Sequence, residues 1–319
     1  MSFYRHKLEQ ASRHQERGGL GGAILAPMAG YTDAPFRKLA RAQGALWAVS
    51  EMMSARGVLE GGPRTLELGQ PYPNEPDLTL QLYGADPVEL ADAAQKVLEL
   101  YRPSAIDLNL GCPVPKIKGR GGSSLLQTPQ LAAQLVRSLK SSVSVPVSAK
   151  MRLGWDVDRS LEVAHLLEDA GADLIAVHGR TAVQRYEGFA DWNAIGQVAR
   201  ALKIPVVGCG DVKTVQDYQN ALEHGVSSVM VGRGAVGNPF FFREVLGFKP
   251  ASKSEKLEMA LEHARLNMAW YGERSGLKQL RKVLIGYTAD FPELRSQVTS
   301  VETLEALEDV LLPLLERVN

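Results

Sequence analysis

Short β-rich runs alternate with amphipathic, helix-length segments along most of the chain, and this alternation constrains the fold more than any other feature. Eight β-rich runs are present, and segments between them carry apolar residues at three- and four-residue spacing, as in residues 87–100, 129–139, 159–170 and 214–223. A strand–helix unit repeated eight times predicts an α/β fold, a closed (β/α)8 TIM barrel with a parallel sheet. The predicted strands span residues 24–27, 47–51, 78–83, 105–109, 145–151, 174–178, 204–208 and 228–231.

The pattern changes near Pro250, where the β-rich runs stop. Three predicted helices follow, at residues 254–271, 276–290 and 301–318, so we expect a small C-terminal all-helical domain after the barrel. The chain is therefore divided into a polar N-terminal extension (1–22), a barrel (23–249) and a helical domain (250–319). Inside the barrel, the Gly- and Pro-rich segment 61–76 is predicted to be a loop.

Four of the predicted barrel helices are preceded by a side chain that can cap a helix N-terminus. Asp33, Asp86, Thr128 and Asp191 each stand directly before a helical run. Such side chains accept hydrogen bonds from the first unsatisfied backbone N–H groups of a helix. They support the positions at which these helices are predicted to begin.

Composition narrows the class of protein. Hydrophobic residues make up 45% and charged residues 23% of the 319 residues, which is typical of a globular protein with a large core. The two cysteines are far apart and show no metal-ligand spacing, so we expect reduced thiols and no metal site. The N-terminus lacks the apolar core of a signal peptide and no apolar run is long enough for a membrane span, which favours a cytoplasmic protein. Lys plus Arg balance Asp plus Glu at 36 each, so net charge gives no support for a nucleic-acid partner.

Cys112 has the setting of a reactive side chain. It follows the predicted strand 105–109 through Gly111 and precedes Pro113, so the thiol lies at the end of a rigid element and the chain cannot continue directly into a helix. A structural cysteine more often lies inside an apolar run. This setting favours a chemical role for Cys112.

The predicted strand ends carry the other candidate site residues, because barrels of this class place their active sites at the carboxyl ends of the strands. Gly210 and the pair Gly232-Arg233 follow the last two strands, where such barrels commonly bind phosphate through backbone N–H groups. These two turns therefore predict a cofactor that carries an anionic group. The remaining strand ends carry Pro27, Met28, Ala29, Glu51, Gln81, Asn109, Lys150, Arg152, His178 and Arg180.

Two of these residues permit more than one interpretation from the sequence. Lys150 lies at an apolar strand end, where it is a Schiff-base lysine, a cation beside the electron-poor end of a flavin ring, or a solvated surface charge. His178 is either a hydrogen-bonded structural histidine or a contact for cofactor or substrate.

Several strand-end motifs occur in an order that resembles a known family, the FMN-dependent tRNA-dihydrouridine synthases of bacterial type. The match runs from about Leu25 to Phe242 and weakens in the C-terminal helices, and Asn-Leu-Gly-Cys-Pro at 109–113 is its most specific motif. The other motifs are Ala-Pro-Met-Ala-Gly-Tyr-Thr-Asp at 26–33, Ser-Glu-Met at 50–52, Gln-Leu-Tyr-Gly at 81–84, Lys-Met-Arg at 150–152, His-Gly-Arg at 178–180, Gly-Cys-Gly-Asp at 208–211 and Gly-Arg-Gly at 232–234.

The resemblance implies a specific chemistry and a set of residue roles. NADPH, or NADH, would reduce FMN transiently, and the flavin would pass a hydride to C6 of a tRNA uridine while Cys112 protonates C5, giving 5,6-dihydrouridine. Cysteine thiols with an ordinary pKa of about 8.5 are mostly protonated at neutral pH and can act as acids. The implied FMN site comprises Pro27, Met28, Ala29, Gln81, Lys150, His178, Cys209, Gly210, Asp211, Gly232 and Arg233. The implied substrate-binding residues are Asn109, Arg152, Arg180, Arg281 and Lys282, and the implied protein is a monomer that binds tRNA.

This chain departs from the family pattern in the residues that follow the seventh strand and in the helical domain. Cys209 stands where the family usually has Asn, which removes a side-chain amide but leaves the backbone donors. Arg281 and Lys282 are followed by Val283 where the family often has His; their side chains either contact phosphates or lie on a solvated helix face. The loop 116–122 carries three basic residues that either contact RNA phosphates or solubilise the loop beside Cys112.

Two alternative functions remain open from the sequence. The first is an FMN-dependent barrel oxidoreductase that acts on a free small molecule, of dihydroorotate or enoate type; a helical domain would be unnecessary for such a substrate. The second is a non-catalytic tRNA-binding protein, against which the retained Cys112 and Lys150 argue.

Overall fold

The computed structural model describes residues 2–16, 19–113 and 121–318, and its centre is a closed barrel of eight parallel strands in chain order. The first strand pairs with the second through Leu25 and Ala48 and with the eighth through Ile24 and Met230, which closes the sheet. This confirms the predicted (β/α)8 fold class. The strands are β1 (Ile24–Leu25), β2 (Ala48–Ser54), β3 (Leu78–Tyr83), β4 (Ala105–Leu110), β5 (Val147–Arg152), β6 (Leu174–His178), β7 (Val206–Cys209) and β8 (Ser228–Val231).

Helices surround the sheet and continue beyond it. Those within the barrel segment are α1 (Phe3–Glu16), α2 (Ala34–Ala42), α3 (Ala55–Leu59), α4 (Pro63–Gly69), α5 (Pro87–Tyr101), α6 (Pro129–Ser142), α7 (Ser160–Asp169), α8 (Trp192–Ala201), α9 (Val215–Leu222) and α10 (Phe241–Val245). The C-terminal helices are α11 (Lys253–Tyr271), α12 (Glu273–Tyr287), α13 (Arg295–Ser300) and α14 (Leu304–Val318). Among the described residues, none of these helices has the length and apolarity that a membrane span requires.

The alternation of side chains along each strand separates the barrel interior from its helical shell. In β5, Ala149 and Met151 pack in the large apolar cluster beneath the helices, so Ser148, Lys150 and Arg152 project to the other face, into the barrel. The same period places Asp107 and Asn109 of β4 inside. Polar side chains inside the barrel therefore follow from sequence position alone, and those nearest the carboxyl ends of the strands, Asn109, Lys150 and Arg152, line the cavity described below.

The N-terminal extension contains a helix that the sequence analysis did not predict. Helix α1 buries Tyr4, Leu8 and Ala11 at the amino end of the barrel, where Tyr4 packs against Trp47 with ring centroids 5.6 Å apart. The Tyr4 hydroxyl donates a hydrogen bond of 2.8 Å to Ser148 Oγ inside the barrel. The polar appearance of this segment comes from its exposed face, while its buried face closes one end of the barrel.

Two local predictions were wrong. Segment 61–76 was predicted to be a loop, but α4 begins there at Pro63, which suits the first position of a helix, and Leu66 and Leu68 pack against the core. Thr128 precedes α6 as expected but makes no capping hydrogen bond with its side chain. Asp33, Asp86 and Asp191 do cap their helices, each accepting from a backbone N–H in the first turn.

The C-terminal helices pack around an apolar cluster of their own. Leu257, Leu284 and Leu307 are completely buried in it, and Leu39 of α2 joins it from the barrel. The three long helices correspond to the three that were predicted, and the short α13 was not predicted. The helical region is thereby held against α2 and the β1–α2 loop, which borders the carboxyl end of the barrel.

Candidate active site

A cavity of about 630 Å³ opens at the carboxyl ends of the strands. A smaller cavity of about 90 Å³ shares six lining residues with it and extends toward the ends of β7 and β8. Predicted site residues that line the large cavity are Pro27, Met28, Ala29, Gln81, Asn109, Cys112, Lys150, Arg152, His178, Arg233 and Lys282. Those that line only the small cavity are Cys209, Gly210, Asp211 and Gly232.

A chain of buried hydrogen bonds runs through the barrel to the cavity. Ser148 Oγ donates to Asp107 Oδ1 at 2.5 Å, and Gln81 Nε2 donates to Asp107 Oδ2 at 2.7 Å. Asn109 Nδ2 in turn donates to Gln81 Oε1 at 2.7 Å. Burial raises the pKa of Asp107 to about 6, although the hydrogen bonds and the charge of Lys150 oppose this shift. This series of hydrogen bonds fixes the orientation of the Gln81 and Asn109 side-chain amides.

The backbone at Cys112 is positioned by Asn109. Asn109 Oδ1 accepts from the backbone N–H groups of Gly111, at 3.1 Å, and of Cys112, at 2.9 Å. Arg152 Nε donates to the Gly111 carbonyl at 2.8 Å, and Ser123 N–H donates to the Cys112 carbonyl at 3.1 Å. The half-buried thiol is thus held at the cavity wall by contacts from both sides of its loop. The basic residues of the predicted loop 116–122 lie outside the described part of the chain, at 114–120.

The wall formed by β5 and β6 is electropositive. Lys150 is partly buried, and its Nζ has no hydrogen-bond or ion-pair partner among the described residues. Burial, together with the positive charges of Lys150, Arg152, Arg180 and Arg233, lowers the pKa of His178 to about 2, so its ring is neutral at physiological pH. His178 Nδ1 is buried without a hydrogen-bond partner in the described structure. Such groups are arranged to meet an anionic or hydrogen-bonding ligand.

The small cavity is lined by two glycines at which a side chain would not fit without displacing a neighbour. Gly210 has φ +137°, and a side chain there would meet the Ala190 Cβ at 2.5 Å; one at Gly232 would meet Met28 Sδ at 3.2 Å. Asp211 also lines this cavity, and its carboxylate accepts from Arg180, from Arg233 at 3.2 Å and from the Ala190 N–H at 2.8 Å. These contacts outweigh burial and lower the pKa of Asp211.

The predicted arginines occupy different places. Arg152 lines the large cavity and uses Nε and Nη1 on the carbonyls of the neighbouring loops, while its Nη2 has no hydrogen-bond acceptor among the described residues. Arg180 is 2% exposed, lines neither cavity, and donates to Asp211 and to two backbone carbonyls. Arg281 also lines neither cavity and donates twice to the Val301 carbonyl, which joins α12 to the segment before α14.

Lys282 brings the helical region to the cavity wall. Its Nζ lies 4.0 Å from the centroid of the Tyr31 ring. Nearby, buried Glu51 accepts a hydrogen bond from the Gly30 N–H. Burial, and then the negative charge of Asp33, raises the pKa of Glu51 to about 7 against the opposing effects of this hydrogen bond and of nearby cations.

Sequence analysis did not identify several lining residues. Four are apolar or aromatic residues with no chemical signal of their own, and Tyr186 lies in a loop where strand-end counting does not reach. They are Tyr31, Met52, Tyr186, Val236 and Ile285.

The described site fits a flavin nucleotide. Its volume lies within the range of about 300–1,000 Å³ typical of cofactor pockets. Lys150 would face the flavin ring, His178 Nδ1 has no hydrogen-bond partner among the described residues, and Arg233 brings a positive charge to the small cavity, where it would meet the phosphate. Among the described residues, no group of three or more His, Cys, Asp or Glu side chains could hold a metal ion.

Comparison with known proteins gives a consistent result. The sequence profile described as "Dihydrouridine synthase (Dus)" matches residues 24–318. The chain is 39% identical over 307 residues to "Probable tRNA-dihydrouridine synthase 1" of Synechocystis sp., covering 90% of this chain and 84% of that protein. It is 37% identical over 298 residues to "tRNA-dihydrouridine synthase B" of Xanthomonas axonopodis pv. citri and to the protein of the same name from Pseudomonas aeruginosa, covering 89% of each chain.

Proposed function

The chain belongs to the dihydrouridine synthase family, and we propose that it is a tRNA-dihydrouridine synthase that uses FMN and NADPH or NADH. The observation that carries this proposal is the shared wall of one cavity. Cys112 and Lys150 of the barrel and Lys282 of α12 line the same space. The proposed proton donor, Cys112, and the proposed flavin-facing cation, Lys150, thus share a cavity with a helix of the C-terminal region. A free small-molecule substrate would not require that helical region.

Bound FMN would supply the hydride, which adds to C6 of the uracil at the expense of NADPH. In our proposal the Cys112 thiol gives its proton to C5, the C5–C6 double bond becomes single, and the thiolate regains a proton from solvent. Asn109 holds the Cys112 backbone in place, and the Arg152 Nη2 group donates to the uracil. Arg152 suits this role because its Nε and Nη1 groups already donate to loop carbonyls, whereas Nη2 has no acceptor among the described residues.

We propose that the FMN-binding residues act in two groups. Pro27, Met28, Ala29, Gln81, Lys150 and His178 would surround the ring, and Cys209, Gly210, Gly232 and Arg233 would hold the phosphate through backbone N–H groups and one guanidinium. Asp211 and Arg180 would act indirectly. Their ion pair positions the phosphate side of the site, and Asp211 also holds Arg233.

The helical domain, which we place at residues 250–319 after a barrel at 23–249, would bind tRNA beside the cavity. Lys282 supports this because it projects from α12 into the cavity wall. Arg281 would stabilise α12 instead of contacting phosphate, since its guanidinium is bound to the Val301 carbonyl. We infer a monomer acting on tRNA in the cytoplasm, with the target uridine turned out of its stack to reach the flavin.

Three measurements test this function. We expect the purified protein to bind FMN, and tRNA from a strain lacking it to lose dihydrouridine at one or more positions. Cys112→Ala should retain flavin binding and flavin reduction by NADPH while forming little dihydrouridine. A protein that binds no flavin, unchanged dihydrouridine in the deletion strain, or full product formation by Cys112→Ala would each contradict the corresponding part of the proposal.

A further inference from the structure

Exposed apolar side chains are concentrated on two neighbouring loops at the carboxyl end of the barrel. Val157 follows β5, and Val183, Tyr186 and Phe189 follow β6; the first three are each 59% exposed and Phe189 is 90% exposed. These four residues, here named the β5–β6 rim, are four of the nine large apolar residues that are strongly exposed in the described chain. Single exposed apolar residues are common, but a cluster beside a cavity marks a binding surface.

The rim stands on a rigid backbone. The two loops are joined by hydrogen bonds of 2.9 Å from Ala182 N–H to the Gly154 carbonyl and from Val183 N–H to the Trp155 carbonyl. Buried Arg152 donates to the carbonyls of Thr181 and Arg185, at 2.9 and 2.7 Å, and buried Arg180 donates to those of Glu187 and Gly188, at 3.0 and 2.6 Å. A partner would therefore meet exposed side chains whose backbone is already ordered, which lowers the entropic cost of binding.

The rim is continuous with the proposed active site. Tyr186 lines both cavities, and its ring lies 4.7 Å from the Arg233 guanidinium carbon and 5.6 Å from that of Arg152. The neighbour of Phe189 in the chain, Ala190, is held by Asp211 at the small cavity. The apolar surface thus begins at the cavity edge and extends outward over the loop.

The chemistry of the rim suits unpaired nucleobases. Aromatic rings beside guanidinium groups are the arrangement on which single-stranded RNA bases stack, and stacking requires no net positive charge on the protein. This matters here because Lys plus Arg equal Asp plus Glu at 36 each, so phosphate attraction over the whole molecule is weak. The target uridine must leave its stack, which exposes the faces of adjacent bases.

We propose that the β5–β6 rim binds the tRNA nucleotides adjacent to the uridine that is reduced, and that Phe189 stacks on one of their bases. The inference rests on the proposed function and extends it to a specific RNA-binding surface. Val157 and Val183 enlarge the apolar contact, and Tyr186 joins it to the cavity.

The test compares Phe189→Ala and Phe189→Trp with Phe248→Ala. Phe248 is 63% exposed but follows α10, whose C-terminal end packs through Leu246 on the turn before β2, at the opposite end of the barrel. Each FMN-loaded protein is titrated with tRNA lacking dihydrouridine at several salt concentrations, and flavin reduction by NADPH is measured separately. Because Phe189 is so exposed, its replacement should not impair folding.

We expect Phe189→Ala to weaken tRNA binding by about 5- to 150-fold, the range for loss of one stacked base. The slope of log affinity against log salt should not change, because no phosphate contact is removed. Phe189→Trp should retain binding, and Phe248→Ala should match the unchanged protein. All variants should reduce their flavin at the same rate.

One result would overturn the proposal while leaving the function intact: unchanged tRNA affinity of Phe189→Ala. If that variant also reduced its flavin more slowly, the rim would be assigned to the nicotinamide cofactor instead of the RNA. Failure of the proposed function looks different. In that case the unsubstituted protein itself would form no dihydrouridine in tRNA, and the rim proposal would fall with it.

Discussion

Replacing Glu51 by Gln is expected to remove a pH dependence from the stability of the protein. Glu51 is 6% exposed in the middle of β2 and accepts a hydrogen bond from Gly30 N–H in the β1–α2 loop. Asp33 adds an unfavourable negative charge, while Arg37 and Lys282 contribute smaller favourable effects. A Gln side chain keeps an oxygen that can accept from Gly30, so the substitution changes the charge and little else.

The sign and size of the effect follow from the pKa of Glu51, which burial raises from 4.5 to about 7 in the folded protein. The folded state therefore holds this proton more tightly than the unfolded state. The resulting stabilisation is complete below pH 4.5 and is lost as the pH rises through 7. With these folded and unfolded pKa values for Glu51, the free energy of unfolding should fall by roughly 2–3 kcal/mol between pH 5 and pH 8.

Urea denaturation of the flavin-free protein at both pH values measures this loss. The free energy of unfolding of Glu51→Gln, relative to that of the unsubstituted protein, should rise by roughly 2–3 kcal/mol from pH 5 to pH 8, because all other titrating groups are common to both proteins. Glu60→Gln is the control, since it removes one carboxylate whose side chain is 65% exposed instead of a buried one. A constant difference for Glu51→Gln would refute the assignment of a buried carboxyl with a raised pKa at this position.

Further substitutions test other buried contacts. Glu75→Ala would leave the guanidinium of Arg37, which is completely buried, without its carboxylate, and should lower the free energy of unfolding by about 3–5 kcal/mol in urea denaturation. Asp211→Asn should weaken FMN binding about 10-fold in a flavin fluorescence titration, because one charge-assisted contact that positions the phosphate side is lost; unchanged affinity would contradict an indirect role. Asn109→Ala removes both side-chain acceptor contacts to the loop that carries the thiol. The rate of dihydrouridine formation should therefore fall at least 10-fold, which corresponds to about 1.4 kcal/mol in activation free energy, while flavin reduction by NADPH is retained.

Much of the fold was accessible from the sequence because its signals are local and repeated. Predicted residues 78–83, 174–178 and 228–231 coincide with β3, β6 and β8, since apolar runs bounded by turn residues mark buried parallel strands. Helix α1 was missed although Tyr4, Leu8 and Ala11 follow helical spacing, because the charges on its other faces dominate the composition. Helix α4 was missed for a different reason: it has only seven residues, and packing against the core stabilises it more than its own propensity does.

Strand position predicts which residues line the site but not which hydrogen bonds they make. A strand-end residue is assigned to the cavity edge by the period of the strand, and this places Gln81, Lys150 and His178 around one space. Strand position does not predict which hydrogen-bond donors of these side chains are already engaged, because their acceptors lie on loops from other parts of the chain. Arg152 and Arg180 look equivalent in sequence, yet Arg152 lines the cavity and makes no hydrogen bond through Nη2 with a described residue, whereas Arg180 lines neither cavity and has both terminal nitrogens engaged by Asp211 and one of them also by a loop carbonyl. The loop after β6 therefore determines which guanidinium lines the cavity and which one holds the loop backbone beside it.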